Sequence, residues 1–253
     1  MFENGAYLYG FTDATFHPAD DLRGLRDAPV SVLAYGGVAA LVSPHPIQRL
    51  APARRNVEPH HRVVRRVSAE APLVPAAFGH ISESGADILG VLRGNHADIR
   101  QELDRLAGTC EMGLKLSWRT DNIFEFMVRS CADLRDARDR AFQGRQPTMN
   151  EKLQLGSAFE GALNRERARV SALALASLAH VTRDTFDSPP RDEKTICHTA
   201  LLIDRRRLAD FDAALRHTAT LLDISVAIDY TGPWPPYSFV RLRLQSGAEP
   251  TAA

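Results

Sequence analysis

A dense run of charge with helix-forming composition fills the middle of this chain and separates two stretches patterned as strands. Charge is dense from Asp121 to Gln143, and residues 147–186 continue as a long helical candidate. In that candidate Leu153, Leu155, Phe159, Leu163, Val170, Leu173, Leu178 and Val181 roughly follow a helical period, with Arg and Glu between them. Two successive charged helices predict an antiparallel hairpin, a coiled-coil-like arm. "DSPPRDE" at 187–193 ends it.

Before the arm the periodicity switches repeatedly. "AYLYGF" (6–11) reads as a strand, and 29–46 holds two apolar runs around Gly36-Gly37, a hairpin signal because tight turns need positive φ. Residues 56–71 read as a helix capped by Asn56, with Glu58 and Pro59 in its first turn and Val63, Val64 and Val67 on one face. A short extended segment, 71–81, is stiffened by Pro72 and Pro75, and Pro75 requires an edge position or a bulge. A helix over 82–108, capped by Ser82 or Ser84, carries Ile88, Leu89, Leu92, Ile99, Leu103 and Leu106, and "CEMGLKLSW" (110–118) alternates as a half-buried strand. This order resembles a modified ferredoxin-like α+β sandwich. After the arm come a strand (195–204), an amphipathic helix (205–222) and strands at 223–232 and 236–244. The predicted organisation is α+β: a ferredoxin-like domain 1–118, a C-terminal α+β domain 119–245 bearing the helical arm, and a disordered tail 246–253.

The bulk numbers narrow the function classes. Lys plus Arg equals Asp plus Glu at 31 each, so the chain lacks the basic excess usual in a nucleic-acid binder. Cys110, Cys131 and Cys197 are widely spaced, which reads as a reduced, cytoplasmic chain. The opening "MFENGAYLYG" lacks the basic and apolar regions of a signal peptide, and no run approaches the ~18 apolar residues of a spanning helix.

His60-His61, with His80 and Cys110, is the local feature closest to a metal site. Adjacent helical residues point about 100° apart, and the short paired spacings of structural zinc are missing. The plainer reading is one packed, hydrogen-bonded histidine and one solvated one. No phosphate-binding glycine pattern, nucleophile elbow or RNA-binding aromatic signature is present. The clusters Arg54-Arg55, Arg62/Arg65/Arg66 and Arg205–Arg207 read as solvated faces, with an anionic partner as the lesser alternative. "DYTGPWPPYSFV" (229–240) lies between two predicted strands and reads as a stiff corner. Gly232 permits an unusual φ there, and the prolines restrict the unfolded loop. Trp234 and Tyr237 are expected to cap the sheet end and offer a contact surface, with Trp234 serving folding more than binding.

That segment also resembles the closing signature of the gas vesicle protein F and L family (GvpF/GvpL). "YLYGF" resembles the family's opening strand, "HHRVVRRV" its histidine-containing helix, "PLVPAAFGHI" its Pro-x-x-Phe-Gly segment and "EMGLKLSW" its Glu-x-x-x-Lys strand. His60 matches the family histidine better than His61. The family positions are therefore His60, Pro75, Phe78, Gly79, Glu111, Lys115, Gly232, Pro233, Trp234, Pro235, Pro236, Tyr237 and Phe239, and they are candidate partner contacts. The chain departs from the family, which usually carries a basic residue before Phe-Gly and a Thr after it, in having Ala76, Ala77 and His80 around Phe78-Gly79. The resemblance implies a two-domain cytoplasmic protein associated with gas vesicles, hollow protein-walled flotation organelles. It implies an accessory or minor structural role, with the hydrophobic shell protein and other gas vesicle accessory proteins as partners. It implies binding without catalysis, cofactor, small-molecule substrate, nucleic acid or membrane insertion. The alternatives are a metal- or heme-dependent enzyme centred on His60 or His61, and a ligand-sensing regulatory module.

Overall fold

The computed structural model describes residues 5–143 and 146–245. It is a mixed α/β fold with two antiparallel sheets and, among the described residues, six α-helices. The tail expected to be disordered, 246–253, lies outside the described residues. No helix among the described residues is long and apolar enough to cross a membrane.

The chain divides into two compact units, Met1–Glu111 with Pro233–Ala253, and Met112–Gly232. This differs from the expected division at 118/119. The strand at 110–118 pairs in the second sheet, and its alternating Met112, Leu114, Leu116 and Trp118 are buried there. The closing segment rejoins the first unit because side chains of that unit satisfy its backbone.

In the first unit the sheet order is β2-β3-β1-β4, comprising β1 (Ala6–Asp13), β2 (Ser31–Tyr35), β3 (Val38–Pro44) and β4 (Leu73–Pro75), with the two-residue β5 (Ile81–Ser82) also on β1. Gly36 and Gly37 join β2 to β3 at φ 60° and 84°, the positive values a tight hairpin needs. Pro75 sits on the edge strand, where its missing N–H costs no ladder bond. The helix α1 (Arg54–Glu70) buries His60, Val63, Val64 and Val67. The three valines pack with Tyr7, Tyr9, Leu25 and Leu41 in one apolar cluster. The helix begins two residues before the expected Asn56, whose side chain donates instead to the Ala51 carbonyl at 2.9 Å.

The helix α2 (Gly85–Leu106) opens on a capping box between Ser84 and Asp87. Its buried stripe runs Ile88, Leu92, Asn95, Ile99, Glu102, Leu103, Leu106, so two polar residues occupy positions that helical spacing assigns to the core. Both hold the closing segment. The Asn95 amide brackets Gln245, donating to its carbonyl at 3.0 Å and accepting from its N–H at 2.8 Å. The Glu102 carboxylate accepts from the Arg241 N–H at 2.6 Å and from Arg105, which also donates to the Phe239 carbonyl. Residues 236–244 were expected to form a strand. They form a 3-10 turn, Tyr237–Phe239, and then an extended strap, because side chains supply the partners a neighbouring strand would supply.

In the second unit the sheet order is β7-β8-β6-β9, from β6 (Thr109–Trp118), β7 (Thr182–Ser188), β8 (Thr195–Asp204) and β9 (Val226–Trp234). Its helices are α3 (Ile123–Ser130), α4 (Ala132–Phe142), α5 (Met149–Leu178) and α6 (Leu208–Leu221). The helix α5 buries Ala162, Leu163, Val170, Ala174 and Leu178, whereas Leu153 and Leu173, expected on that stripe, are exposed. The strand β7 occupies residues expected to continue the helix. It is a polar edge strand, "TRDTFDS", and carries little of the apolar alternation that marks a strand in sequence.

Replacing Glu102 by Ala removes the acceptor for Arg105 and for the Arg241 N–H at a site where the carboxylate is only 9% exposed. We expect Glu102→Ala to lower unfolding free energy by about 2–4 kcal/mol, read by urea denaturation, and an exposed control such as Glu83→Ala to change it little.

Candidate functional site

The histidine of α1 organises the first unit. His60 is fully buried, and its Nδ1 lies 2.9 Å from the Tyr7 hydroxyl. The same hydroxyl accepts the Gly79 N–H at 2.9 Å. One oxygen thereby joins β1, α1 and the Pro75–Gly79 turn. Gly79 has φ 95°, a backbone value that disfavours any residue with a Cβ. Phe78 packs edge-on to His60 at 5.8 Å between ring centroids, and Tyr9 stacks on the imidazole at 5.7 Å. Burial, helped by the neighbouring His61 and opposed by a smaller pull from the Ala76 carbonyl, lowers the His60 pKa to about 4. The imidazole is neutral at pH 7, and because the Tyr7 oxygen already accepts the Gly79 N–H, we assign the hydroxyl proton to the bond with Nδ1 and the imidazole proton to Nε2.

His61 faces outward. Its Nδ1 lies 3.1 Å from the Tyr237 hydroxyl, and the two rings meet edge to face at 5.5 Å. Burial and the nearby Arg65 both lower its pKa. The two adjacent histidines thus divide their roles, one holding the core and the other a surface. Among the described residues no three His, Cys, Asp or Glu side chains converge in a metal-ligand cluster.

The closing segment is fixed against α1 by Glu111. Its carboxylate accepts from the Ser238 N–H at 2.8 Å and from the Ser238 hydroxyl at 2.9 Å, a two-point grip on the 3-10 turn. Pro235, Pro236 and Phe239 are buried. Trp234 is not: it is 40% exposed, with the Arg65 guanidinium 5.4 Å from its ring centroid. The folding role expected of Trp234 therefore falls to Phe239 and the two prolines, and Trp234 presents its ring at the surface.

Between α1 and the closing segment lies an open groove of about 1060 Å³. Val57, Trp234 and Tyr237 give it an apolar base, and Arg54, Arg62, Arg65 and Arg66 line its rim with Glu58 and Glu111. Of the positions singled out in sequence, Glu111, Trp234 and Tyr237 line this groove. His60, Phe78 and Gly79 form the support beneath it, Pro75 ends the edge strand, and Pro233 is exposed beside Trp234. Lys115 and Gly232 belong to the second unit. Lys115 is exposed, and Gly232 has φ 129°, which the expected corner requires. Sequence reasoning missed the junction role of Tyr7; it named His61 and the Arg62/Arg65/Arg66 cluster but read them mainly as solvated side chains. The spacing of Arg54, Glu58, Arg62 and Arg65, four, four and three residues apart on a predicted helix, was the available signal for a charged face.

The comparisons with known proteins agree along the whole chain. The family model described as "Gas vesicle synthesis protein GvpL/GvpF" matches residues 5–241. Gas vesicle protein F of Streptomyces sp. (strain CB03234) is 27% identical over 238 residues, covering 92% of this chain and 98% of that protein. Gas vesicle protein L2 of Halobacterium salinarum is 30% identical over 260 residues, covering 93% and 91%. The crystal structure of GvpF from Anabaena sp. PCC7120 superposes with a TM-score of 0.83 at 24% identity, covering 95% of this chain and 99% of that one.

The depressed His60 pKa has a consequence for stability. A histidine that stays neutral to about pH 4 in the folded state takes up a proton near pH 6.5 when unfolded. Between those values the unfolded chain binds more protons, so stability falls as pH drops from 6.5 to 4 and then levels for this group, by about 3 kcal/mol in all. Urea unfolding across this range should show that slope, and His60→Phe should flatten it. An unchanged slope in the variant would contradict the assignment. The matching family model, the full-length relatives and the shared fold together place this chain in the GvpL/GvpF family of gas vesicle synthesis proteins, with a role associated with gas vesicles.

Proposed function

We propose that this protein is an accessory or minor structural component that binds the hydrophobic gas vesicle shell protein and supports vesicle nucleation and assembly in the cytoplasm. A shell subunit with a large apolar face aggregates unless that face is covered before incorporation, so a binding partner meets a physical need. Binding by surface complementarity requires no turnover, and the other accessory proteins of the vesicle are the further partners. The observation that carries this reading is the exposed Trp234, which forms part of the groove's apolar base and lies four residues before the Ser238 that Glu111 grips. Large aromatics supported in this way are frequent anchors of protein interfaces. In this reading the first unit acts as a ferredoxin-like scaffold for the contact. We further propose that α4 and α5 act as a coiled-coil-like arm for a second partner.

The test is recovery of the shell protein with tagged chain from a lysate of the producing cell, read by mass spectrometry. The wild-type chain should enrich it. Trp234→Ala should reduce recovery several-fold while shifting the melting temperature by less than about 4 °C, the equivalent of roughly 1 kcal/mol in a chain of this size. Phe239→Ala, which empties a buried site, should instead cost about 3–5 kcal/mol of stability. Failure of the wild-type chain to enrich a shell protein shown to be present and soluble would overturn the proposal.

A further inference from the structure

We infer that the α1 groove accepts an acidic amphipathic helix, one whose apolar side chains rest on Trp234 and Tyr237 and whose carboxylates meet Arg62 and Arg65. The inference takes its partner to be a gas vesicle protein, as the proposed function does, but its chemistry comes from the groove. Four arginines and two glutamates share the lining with His61, whose pKa burial and the nearby Arg65 lower. The carboxylates present are already engaged, Glu58 by Arg54 at 3.3 Å and Glu111 by Ser238. Arg66 is likewise occupied, by Asp21 at 2.8 Å and Glu70 at 3.6 Å.

Arg62 and Arg65 differ. Both are exposed, and among the described residues neither has a carboxylate within ion-pair distance. Arg65 rests on the Trp234 ring, and Arg62 reaches only the Arg23 carbonyl at 3.5 Å. Two unpaired guanidiniums one helical turn apart, beside an exposed indole, complement a surface that is both acidic and apolar. The rim from Arg54 to Arg65 spans about 16 Å at 1.5 Å per residue, or three helical turns, a length that suits a short helix. A bare polyanion is disfavoured by Glu58 and Glu111 on the same rim and by the apolar base.

The indole supplies the readout. The chain has two tryptophans, and Trp118 is buried, so a change in emission on binding reports Trp234. The probe is a tryptophan-free synthetic helix of roughly 18 residues with Leu at three- and four-residue spacing and flanking Glu, compared with its Lys-for-Glu counterpart. The acidic peptide should saturate the full-length chain, and the basic peptide should bind at least about tenfold more weakly. Raising salt should weaken the acidic peptide, and Arg62→Glu with Arg65→Glu should weaken it at least about tenfold at unchanged melting temperature. Equal binding of the two peptides, indifference to the double substitution, or displacement by an oligodeoxythymidine of equal charge would overturn the inference.

The same double variant separates this inference from the proposed function. If wild-type and variant recover the shell protein equally, the groove is not the contact while the role stands. If neither recovers it, the role fails and the peptide titration judges the groove alone.

Discussion

One oxygen atom, the hydroxyl of Tyr7, holds together the parts on which the rest of the first unit depends. It accepts the Gly79 N–H and donates to His60 Nδ1, so the opening strand, the histidine helix and the turn after the edge strand share one buried junction. Burial makes both partners act as neutral groups: it raises the Tyr7 pKa and lowers that of His60. A neutral pair in an aromatic pocket avoids the cost of a buried charge. The reward is positional. With His60 fixed inward, helical geometry turns His61 and Arg65 outward, one and five residues further on, toward Tyr237 and Trp234.

The closing segment is held by the same logic applied to carboxylates. Burial works to raise the Glu102 pKa, but Arg105 and the Arg241 N–H hold it below the usual range. Glu111 grips Ser238 through two oxygens. These contacts replace a strand ladder with side-chain partners, and that substitution leaves Trp234 exposed at the end of β9 instead of packed within a sheet. Support beneath and exposure above come from the same few bonds.

Much of this fold was legible in the sequence because it follows period and turn chemistry. The Gly36-Gly37 hairpin, the edge position of Pro75, the Val63/Val64/Val67 face of α1 and the strand Thr195–Asp204 all lie where local pattern places them. The failures share a cause. β7 is polar because it is an edge, Asn95 and Glu102 are polar because they serve as backbone partners, and 236–244 reads as a strand in sequence while its hydrogen bonds go elsewhere. Composition carries no record of where a backbone donor finds its acceptor. The candidate site was half legible for the same reason. The Trp-Pro-Pro-Tyr run and the arginine spacing stand in the sequence, but their meeting depends on long-range contacts such as His61 to Tyr237.

The central claim, that the face of α1 beside Trp234 is where a gas vesicle partner binds, is tested most directly by site-specific photocrosslinking in the producing cell. A benzophenone amino acid would replace Arg54 on the groove rim and, as a control on the same unit, the exposed Glu83. We expect adducts from position 54 with a gas vesicle protein, at an acidic amphipathic segment, and none from position 83. Adducts of equal yield from both positions, or none from position 54 with the protein folded and the vesicle proteins present, would contradict the account.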